Sequence, residues 1–158
     1  MENGEGVKTM SDKSHRKRIL VIHGPNLNML GKREPEIYGH ESLAEIDARL
    51  QEKGQELGID VETYQSNHEG ALVDKIQQAA GTVHGIVINP AAYTHTSVAI
   101  RDALAMLDIP LVEIHLSNMN KREPFRHQSM IADIVAARIA GFGCNGYILA
   151  LEGLVGML

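Results

Sequence analysis

The sequence predicts an α/β protein whose five parallel strands form one sheet in the order 2-1-3-4-5, with helices on both faces. Short β-branched runs alternate along the chain with amphipathic segments, at intervals of roughly 20 to 30 residues. Most of the apolar runs stop at turn-forming residues. Alternation at this spacing is typical of parallel strands joined by right-handed helical crossovers.

The first half of the chain contains two predicted strands and the helix between them. Residues 18–22 form a β-branched run that ends at His23-Gly24-Pro25. Residues 42–57 carry apolar side chains at a helical spacing, and Ser42 with Glu45 forms a capping-box pattern at the start. Residues 59–64 alternate between apolar and polar side chains, which predicts the second strand.

The second half repeats this alternation. Predicted strands lie at 84–88, 111–115 and 137–142, and predicted helices at 69–80, 94–107 and 145–157. Gly81, Asn89-Pro90 and Ile109-Pro110 mark the ends of the elements before them. Residues 128–143 are ambiguous and are predicted as a short helix followed by the last strand. The resulting strand order is that of a flavodoxin-like three-layer sandwich.

The composition excludes several classes of protein. The chain has 158 residues, a formal net charge of −5, four Tyr, two Phe, no Trp and one Cys. It therefore has neither the basic face of a duplex binder nor the aromatic platform of a single-strand binder. One Cys excludes an intrachain disulfide, and no apolar run reaches the roughly 20 residues that span a bilayer. We expect a cytoplasmic, single-domain protein without nucleic-acid or membrane partners.

Residues 1–17 are predicted to be a disordered extension, followed by a single catalytic α/β domain at 18–158. The extension is polar throughout and has no apolar stretch of the signal-peptide type. Its basic end, residues 15–18, could bind an acidic partner, although such stretches are more often solvated.

One connection in the predicted fold is unusually long. Residues 24–41 separate the first strand from its helix, whereas such loops usually have roughly two to six residues. The loop carries Lys32, Arg33 and Glu34 between Gly31 and Gly39. Charged residues between two glycines are expected of a lid with hinges.

Polar side chains gather where the predicted strands end, which is where ligands bind in an open parallel sheet. These segments are 23–26, 66–68, 89–95 and 115–118. They are rich in amides, imidazoles and hydroxyls and nearly free of carboxylates, which disfavours a metal site and favours a small, polyhydroxylated anion. The backbone amides of Leu116 and Ser117 could hold a carboxylate. Asn89, His95 and Arg126 could then contact hydroxyls and charge.

Other functional signatures are missing from the sequence. There is no G-x-x-x-x-G-K-[ST], no G-x-G-x-x-G after the first strand and no G-x-S-x-G. A phosphate loop, a dinucleotide fold and an acyl-transfer serine are therefore not predicted.

Three long segments resemble type II 3-dehydroquinate dehydratase, in that family's order and spacing. They are HGPNLNMLGKREPEIYG at 23–39, NPAAYTHTSVAIRDAL at 89–104 and EIHLSNMNKREPFRH at 113–127. The resemblance implies a cofactor-free, flavodoxin-like lyase that eliminates water from 3-dehydroquinate to give 3-dehydroshikimate, in the shikimate pathway of aromatic biosynthesis or in quinate breakdown. It also implies a homododecamer built from trimers.

The resemblance implies a tyrosine base and a histidine acid. Tyr38 matches the base that removes the proton alpha to the ketone, and His115 matches the acid that protonates the leaving hydroxyl. A free phenol has a pKa of about 10, so the base needs a cation, which Arg33 can supply and Arg122 can reinforce. Glu113, two residues before His115 and on the same strand face, can orient and charge its ring.

The remaining matched positions are contacts to the substrate. Asn26 matches the residue that holds the catalytic water or the enolate oxygen, and Asp102 matches a position that reaches the substrate from a neighbouring subunit. The other matched contacts are Asn89, His95, Leu116, Ser117 and Arg126. Without the resemblance, Asn26 would be explained as a turn residue, Asp102 as an exposed helix acid and Arg126 as a solvated charge.

Two rival functions are also considered. A lysine Schiff base would use Lys32 or Lys121, but both lie in polar loops where burial does not readily lower an amine pKa. A flavin-binding electron carrier would share the fold, but the chain lacks Trp and a hydroxyl-rich loop after the first strand. His23 and His68 match no catalytic position, so we predict structural roles for them, and we predict a packed thiol for Cys144.

Overall fold

A computed structural model describes residues 16–32 and 34–158, and it contains a five-stranded parallel sheet. The strands are β1 (Arg18–His23), β2 (Asp60–Gln65), β3 (Gly85–Asn89), β4 (Leu111–His115) and β5 (Ala137–Ala140). Their order is β2-β1-β3-β4-β5, and each neighbouring pair is parallel. The predicted fold class and strand order are confirmed.

Helices cover both faces of the sheet. They are α1 (Pro35–Tyr38), α2 (Leu43–Glu56), α3 (Glu69–Ala79), α4 (Val98–Ala105) and α5 (Asn145–Val155). Successive residues of a strand point to opposite faces. Ile19 and Val21 of β1 therefore pack with α2 and α5, while Leu20 and Ile22 pack with α3 and α4. Within the described ranges, no helix has the length and apolarity needed to cross a membrane.

The predicted capping box of α2 is confirmed. The Glu45 backbone N–H donates to Ser42 Oγ at 3.3 Å, and the Ser42 backbone N–H donates to Glu45 Oε2 at 2.7 Å. Two N–H groups that have no partner within the helix are satisfied in this way.

Helix α4 begins later than predicted. The expected helix at 94–107 starts at Val98, because Ala91–His95 forms a separate 3-10 turn. The Ser97 hydroxyl accepts from the Ile100 N–H at 2.9 Å and caps the helix there.

The predicted short helix within 128–143 was wrong. Residues 130–136 form turns and bends before β5 begins. The Ser129 hydroxyl accepts from the Ile131 N–H at 3.2 Å and also contacts Glu113, so a tertiary contact determines this segment. Two ends were also predicted too far along the chain: β5 ends at Ala140 and α5 at Val155.

The long loop after β1 is partly regular. A 3-10 turn spans Leu27–Met29, and α1 forms one helical turn before α2. Gly31 and Gly39 have φ values of +80° and +86°, in the left-handed region that favours glycine. Arg33 lies outside the described residues, and the hinged lid stays a prediction.

The predicted extension lies mostly outside the described residues, which begin at Arg16. Arg16 Nη2 donates to the Ile59 carbonyl at 3.1 Å, and the Asp60 N–H donates to the Lys17 carbonyl at 2.9 Å. Arg16 and Lys17 therefore contact the start of β2, immediately before β1.

Candidate active site

A cavity of about 110 Å³ lies at the carboxyl ends of β1, β3 and β4. Most of the predicted site residues line it: Asn26, Tyr38, Asn89, His95, His115, Leu116, Ser117, Arg122 and Arg126. The first strand has neighbours on both sides, β2 and β3, so the chain reverses its direction of winding there. Loops diverge at such a point and leave room for a ligand.

A close approach between two loops positions the asparagines of the cavity. The Gly24 N–H donates to the Asn89 carbonyl at 2.8 Å, and a Cβ on Gly24 would lie only 2.4 Å from the Pro90 carbonyl oxygen. Asn26 follows with a φ of +68°, which asparagine tolerates better than most residues. Its N–H donates to Asn67 Oδ1 at 2.9 Å. Asn26 is therefore both a turn residue and part of the cavity wall.

Asn89 is held from behind by a buried polar chain. Its Oδ1 accepts from the Ala91 N–H at 3.1 Å, and its side chain contacts the Tyr147 hydroxyl. Burial raises the pKa of Tyr147 strongly, although the hydrogen bond from Asn89 opposes this, so the hydroxyl stays protonated. That hydroxyl lies 2.7 Å from His23 Nδ1, and His23 Nε2 lies 2.9 Å from Asp47 Oδ1.

Tyr38 and Arg122 meet at one side of the cavity. Arg122 Nη1 donates to the Tyr38 hydroxyl at 3.0 Å, and the guanidinium carbon lies 5.5 Å from the centre of the Tyr38 ring. The Arg122 side chain is only 15% exposed, so solvent screens its charge weakly. The guanidinium therefore places a positive charge beside the Tyr38 oxygen.

His115 and Glu113 form the second polar pair. His115 Nε2 lies 2.8 Å from Glu113 Oε1, as expected for two residues on one strand face, and 3.4 Å from Thr94 Oγ1. Glu113 is completely buried and also accepts from Ser129 Oγ and from Arg138 Nε. Burial alone would raise the pKa of Glu113, but the contacts with His115, Ser129 and Arg138 outweigh it and lower the pKa. Glu113 is therefore ionised at neutral pH.

His95 presents a hydrogen-bond acceptor. Burial lowers its pKa; the hydrogen bond to the Gln128 carbonyl opposes that effect, and the charges of His115 and Arg126 lower it further. A neutral ring that donates from Nδ1 to Gln128, at 2.7 Å, carries its lone pair on Nε2. That buried atom has no hydrogen-bond partner among the described residues, so it can accept from a ligand hydroxyl.

Three of the predicted site residues are not among the described residues that line this cavity. Glu113 lies behind His115, Asp102 is exposed on α4, and Arg33 lies outside the described residues. Among residues 16–32 and 34–158, no group of three His, Cys, Asp or Glu side chains could hold a metal ion.

Ser129, Arg138 and Tyr147 contribute to the site but were not predicted from the sequence. The sequence did contain an indication of Arg138, because it is the one charged residue of β5, the strand predicted beside β4. The register pairs it with Glu113. Ser129 and Tyr147 reach the site through contacts that only the folded chain creates.

The arrangement suits proton transfer on a small anion. A tyrosine oxygen beside a cation can act as a base, and a histidine beside a buried carboxylate can act as an acid. Arg122 and Arg126 supply positive charge for an anionic ligand, and Asn26, Asn89 and His95 supply polar contacts.

The chain is similar to known proteins over most of its length. The family model described as Dehydroquinase class II matches residues 17–155. A 3-dehydroquinate dehydratase of Desulforudis audaxviator is 56% identical over 138 residues, which are 87% of this chain and 92% of that protein. A catabolic 3-dehydroquinase of Aspergillus oryzae is 59% identical over 136 residues, which are 86% of this chain and 89% of that protein.

Solved structures agree with these relatives. The crystal structure of the type II dehydroquinase from Propionibacterium acnes matches with a TM-score of 0.86 at 49% identity, covering 90% of this chain and 99% of that chain. That from Butyrivibrio crossotus matches with a TM-score of 0.86 at 51% identity, covering 88% and 97%. The resemblance found in the sequence is confirmed: the chain belongs to the class II dehydroquinase family.

Proposed function

We propose that this chain dehydrates 3-dehydroquinate to 3-dehydroshikimate without a cofactor, using Tyr38 as the base and His115 as the acid. One observation carries the assignment of these roles. A tyrosine hydroxyl bonded to an arginine and a histidine bonded to a buried carboxylate line the same small cavity. An elimination needs a base and an acid that act on the same molecule.

The first step is removal of a proton alpha to the ketone by the Tyr38 phenolate. The C–H electron pair moves into the ring to form an enolate, and the proton passes to the phenolate oxygen. Arg122 stabilises the phenolate through its hydrogen bond, and we infer from the family resemblance that Arg33 adds a second cation. Asn26 holds the enolate oxygen or a water molecule beside it.

The second step is loss of the hydroxyl group as water. The enolate electrons form the new carbon–carbon double bond, the C–O bond breaks, and His115 gives its proton to the leaving oxygen. Glu113 stabilises the protonated ring before this transfer. Return of the proton from Tyr38 to His115, directly or through solvent, restores the enzyme.

The substrate's remaining groups meet the other wall of the cavity. We assign its carboxylate to the backbone amides of Leu116 and Ser117 and its hydroxyls to Asn89, His95 and Arg126. Asn89 ends β3, and the other four residues lie in the segments that follow β3 and β4.

We also propose that the chain forms a homododecamer built from four trimers in the cytoplasm, in which Asp102 contacts the substrate of a neighbouring subunit. Its exposure on α4 makes it available for such a contact. Light scattering on the eluting protein tests the assembly: we expect the mass of twelve chains, and the mass of a trimer or of a smaller species would contradict the dodecamer.

The activity is tested by mixing purified protein with 3-dehydroquinate and following ultraviolet absorbance. We expect the absorbance to rise as the conjugated enone forms, and no rise with fresh substrate would contradict the proposal. Borohydride added during turnover distinguishes the mechanism, because a Schiff base on Lys32 or Lys121 would be trapped as a covalent adduct. We expect no adduct by mass spectrometry.

A further inference from the structure

The carboxylate of Glu113 is enclosed by three hydrogen-bond donors. Oε1 is 2.8 Å from His115 Nε2 and 2.8 Å from Ser129 Oγ, while Oε2 is 2.6 Å from Arg138 Nε and 3.0 Å from Ser129 Oγ. The Glu113 side chain is 0% exposed. A buried carboxylate is expensive to ionise unless its charge is paired and its oxygens are hydrogen-bonded.

Arg138 differs from the other two donors in its charge. Serine is neutral, and a histidine can lose its proton near neutral pH, whereas a guanidinium stays protonated over the whole working range. Among the groups that face this carboxylate, Arg138 therefore supplies a positive charge that persists when His115 has given up its proton.

The sheet brings Arg138 to this position. The parallel register pairs Glu113 of β4 with Arg138 of β5, the edge strand. The Arg138 side chain is 42% exposed, yet its Nε reaches the fully buried carboxylate. An ion pair between two solvated side chains would contribute little to stability, whereas here one partner is fully buried.

We propose that Arg138 is a positioning residue for the dehydration: it keeps Glu113 ionised and in place, and Glu113 in turn holds His115 with Nε2–H directed at the carboxylate. Nδ1 is then the ring nitrogen left to serve the substrate. The inference rests on the proposed function, in which His115 is the acid.

The charged groups around Glu113 make the effect dependent on pH. His115 lies on its own strand and Arg138 on β5, while His95, after β3, interacts with Glu113 and His115, and Arg126, after β4, interacts with His95. Without Arg138, the Glu113 carboxylate would become protonated at a higher pH. The neutral carboxyl would then no longer stabilise the protonated His115 ring. Arg138 does not line the cavity, so substrate binding should be unaffected.

The test compares Arg138→Gln and Arg138→Lys with the unaltered protein. In kcat profiles from about pH 3.5 to pH 8, we expect the acidic limb of Arg138→Gln to move to higher pH by about one unit. A shift of this size lowers kcat roughly tenfold on that limb, while KM stays within about twofold. Arg138→Lys keeps the charge and should restore most of the wild-type profile.

Arg18→Gln is the matched control. Arg18 is also a half-exposed strand arginine that pairs with a glutamate of the neighbouring strand, Glu62 at 3.7 Å, but it lies at the opposite end of the sheet. We expect its profile to be that of the unaltered protein. An unmoved acidic limb in Arg138→Gln, or a rise in KM with unchanged kcat, would overturn the inference.

A second measurement separates this inference from the proposed function. Carbon NMR of labelled glutamate reports the pKa of Glu113 without any turnover, and we expect Arg138→Gln to raise it. Unchanged titration would overturn the inference even in an active enzyme. An inactive wild-type protein with the expected NMR shift would contradict the proposed function and leave the Arg138–Glu113 contact supported. In a Glu113→Gln background, Arg138→Gln should shift the acidic limb no further.

Discussion

Arg122 donates a hydrogen bond of 3.0 Å to the Tyr38 hydroxyl, although 84 positions separate the two residues in the sequence. Tyr38 comes from α1, in the long loop after β1, and Arg122 follows the 3-10 turn after β4. The sheet brings the ends of these strands to one edge. The fold therefore places a positive charge beside the oxygen of the proposed base.

This contact predicts the effect of changing Arg122. Arg122→Gln should lower kcat roughly 10- to 100-fold, since a hydrogen bond to a charged partner contributes about 1.5–3 kcal/mol. Arg122→Lys should recover only part of the loss, because an ammonium does not reproduce a planar guanidinium. Steady-state kinetics at fixed pH measures both. A kcat for Arg122→Gln equal to that of the unaltered enzyme would remove Arg122 from the mechanism.

Glu113 predicts how stability depends on pH. Its pKa in the folded protein is lowered from 4.5 by His115, Ser129 and Arg138 against the effect of burial, so the ionised form stabilises the fold above pH 4.5. That contribution is lost as the pH falls through the lowered pKa that Glu113 has in the folded protein. In urea unfolding, the unaltered protein should therefore have a higher free energy of unfolding than Glu113→Gln, and this difference should decrease below pH 4.5. A pH-independent difference in unfolding free energy would contradict this linkage.

Cys144 should react slowly with alkylating reagents. Burial raises the pKa of its thiol from 9.0 to about 11, and the nearby Glu41 carboxylate adds to the effect. The reactive thiolate is then roughly 100-fold scarcer than in an unperturbed thiol near neutral pH. Iodoacetamide labelling followed by mass spectrometry measures the rate, with the urea-unfolded chain as control. Equal rates in the folded and unfolded chains would show that the thiol is neither buried nor perturbed.

Gly24 should tolerate no side chain. A Cβ there would lie 2.4 Å from the Pro90 carbonyl oxygen, so Gly24→Ala must separate the loops that carry Asn26 and Asn89. We expect a loss of about 1–3 kcal/mol in unfolding free energy and a lower kcat. Gly70→Ala is the control, because a Cβ in that helix meets nothing within 4 Å. Equal melting temperatures for the two variants would contradict the close approach.

The sequence predicts the parts of this molecule that depend on local pattern. Apolar periodicity predicts the strands and helices, Ser42 and Glu45 predict the start of α2, and the spacing of the strands predicts the sheet order. The edge where the strands end predicts the location of the cavity, because parallel strands share their carboxyl ends.

What the sequence does not predict depends on contacts between distant residues. The pairing of Arg138 with Glu113 requires the register of β4 and β5, which neither strand encodes alone. Ser129 replaces a predicted helix with a turn because its hydroxyl binds Glu113. Helix α4 begins at Val98, four residues after the predicted start at 94, because Ala91–His95 forms a 3-10 turn and Ser97 caps the helix.

Tyr38→Phe tests whether Tyr38 is the base of the reaction. The measurement is the rate of enone absorbance with 3-dehydroquinate, compared with the unaltered enzyme and with Tyr64→Phe, a tyrosine of β2 outside the cavity lining. We expect Tyr38→Phe to lose roughly 100- to 10,000-fold in kcat, the range of general base catalysis, with KM nearly unchanged and Tyr64→Phe fully active. A Tyr38→Phe variant that turns over at the rate of the unaltered enzyme would show that Tyr38 is not the base.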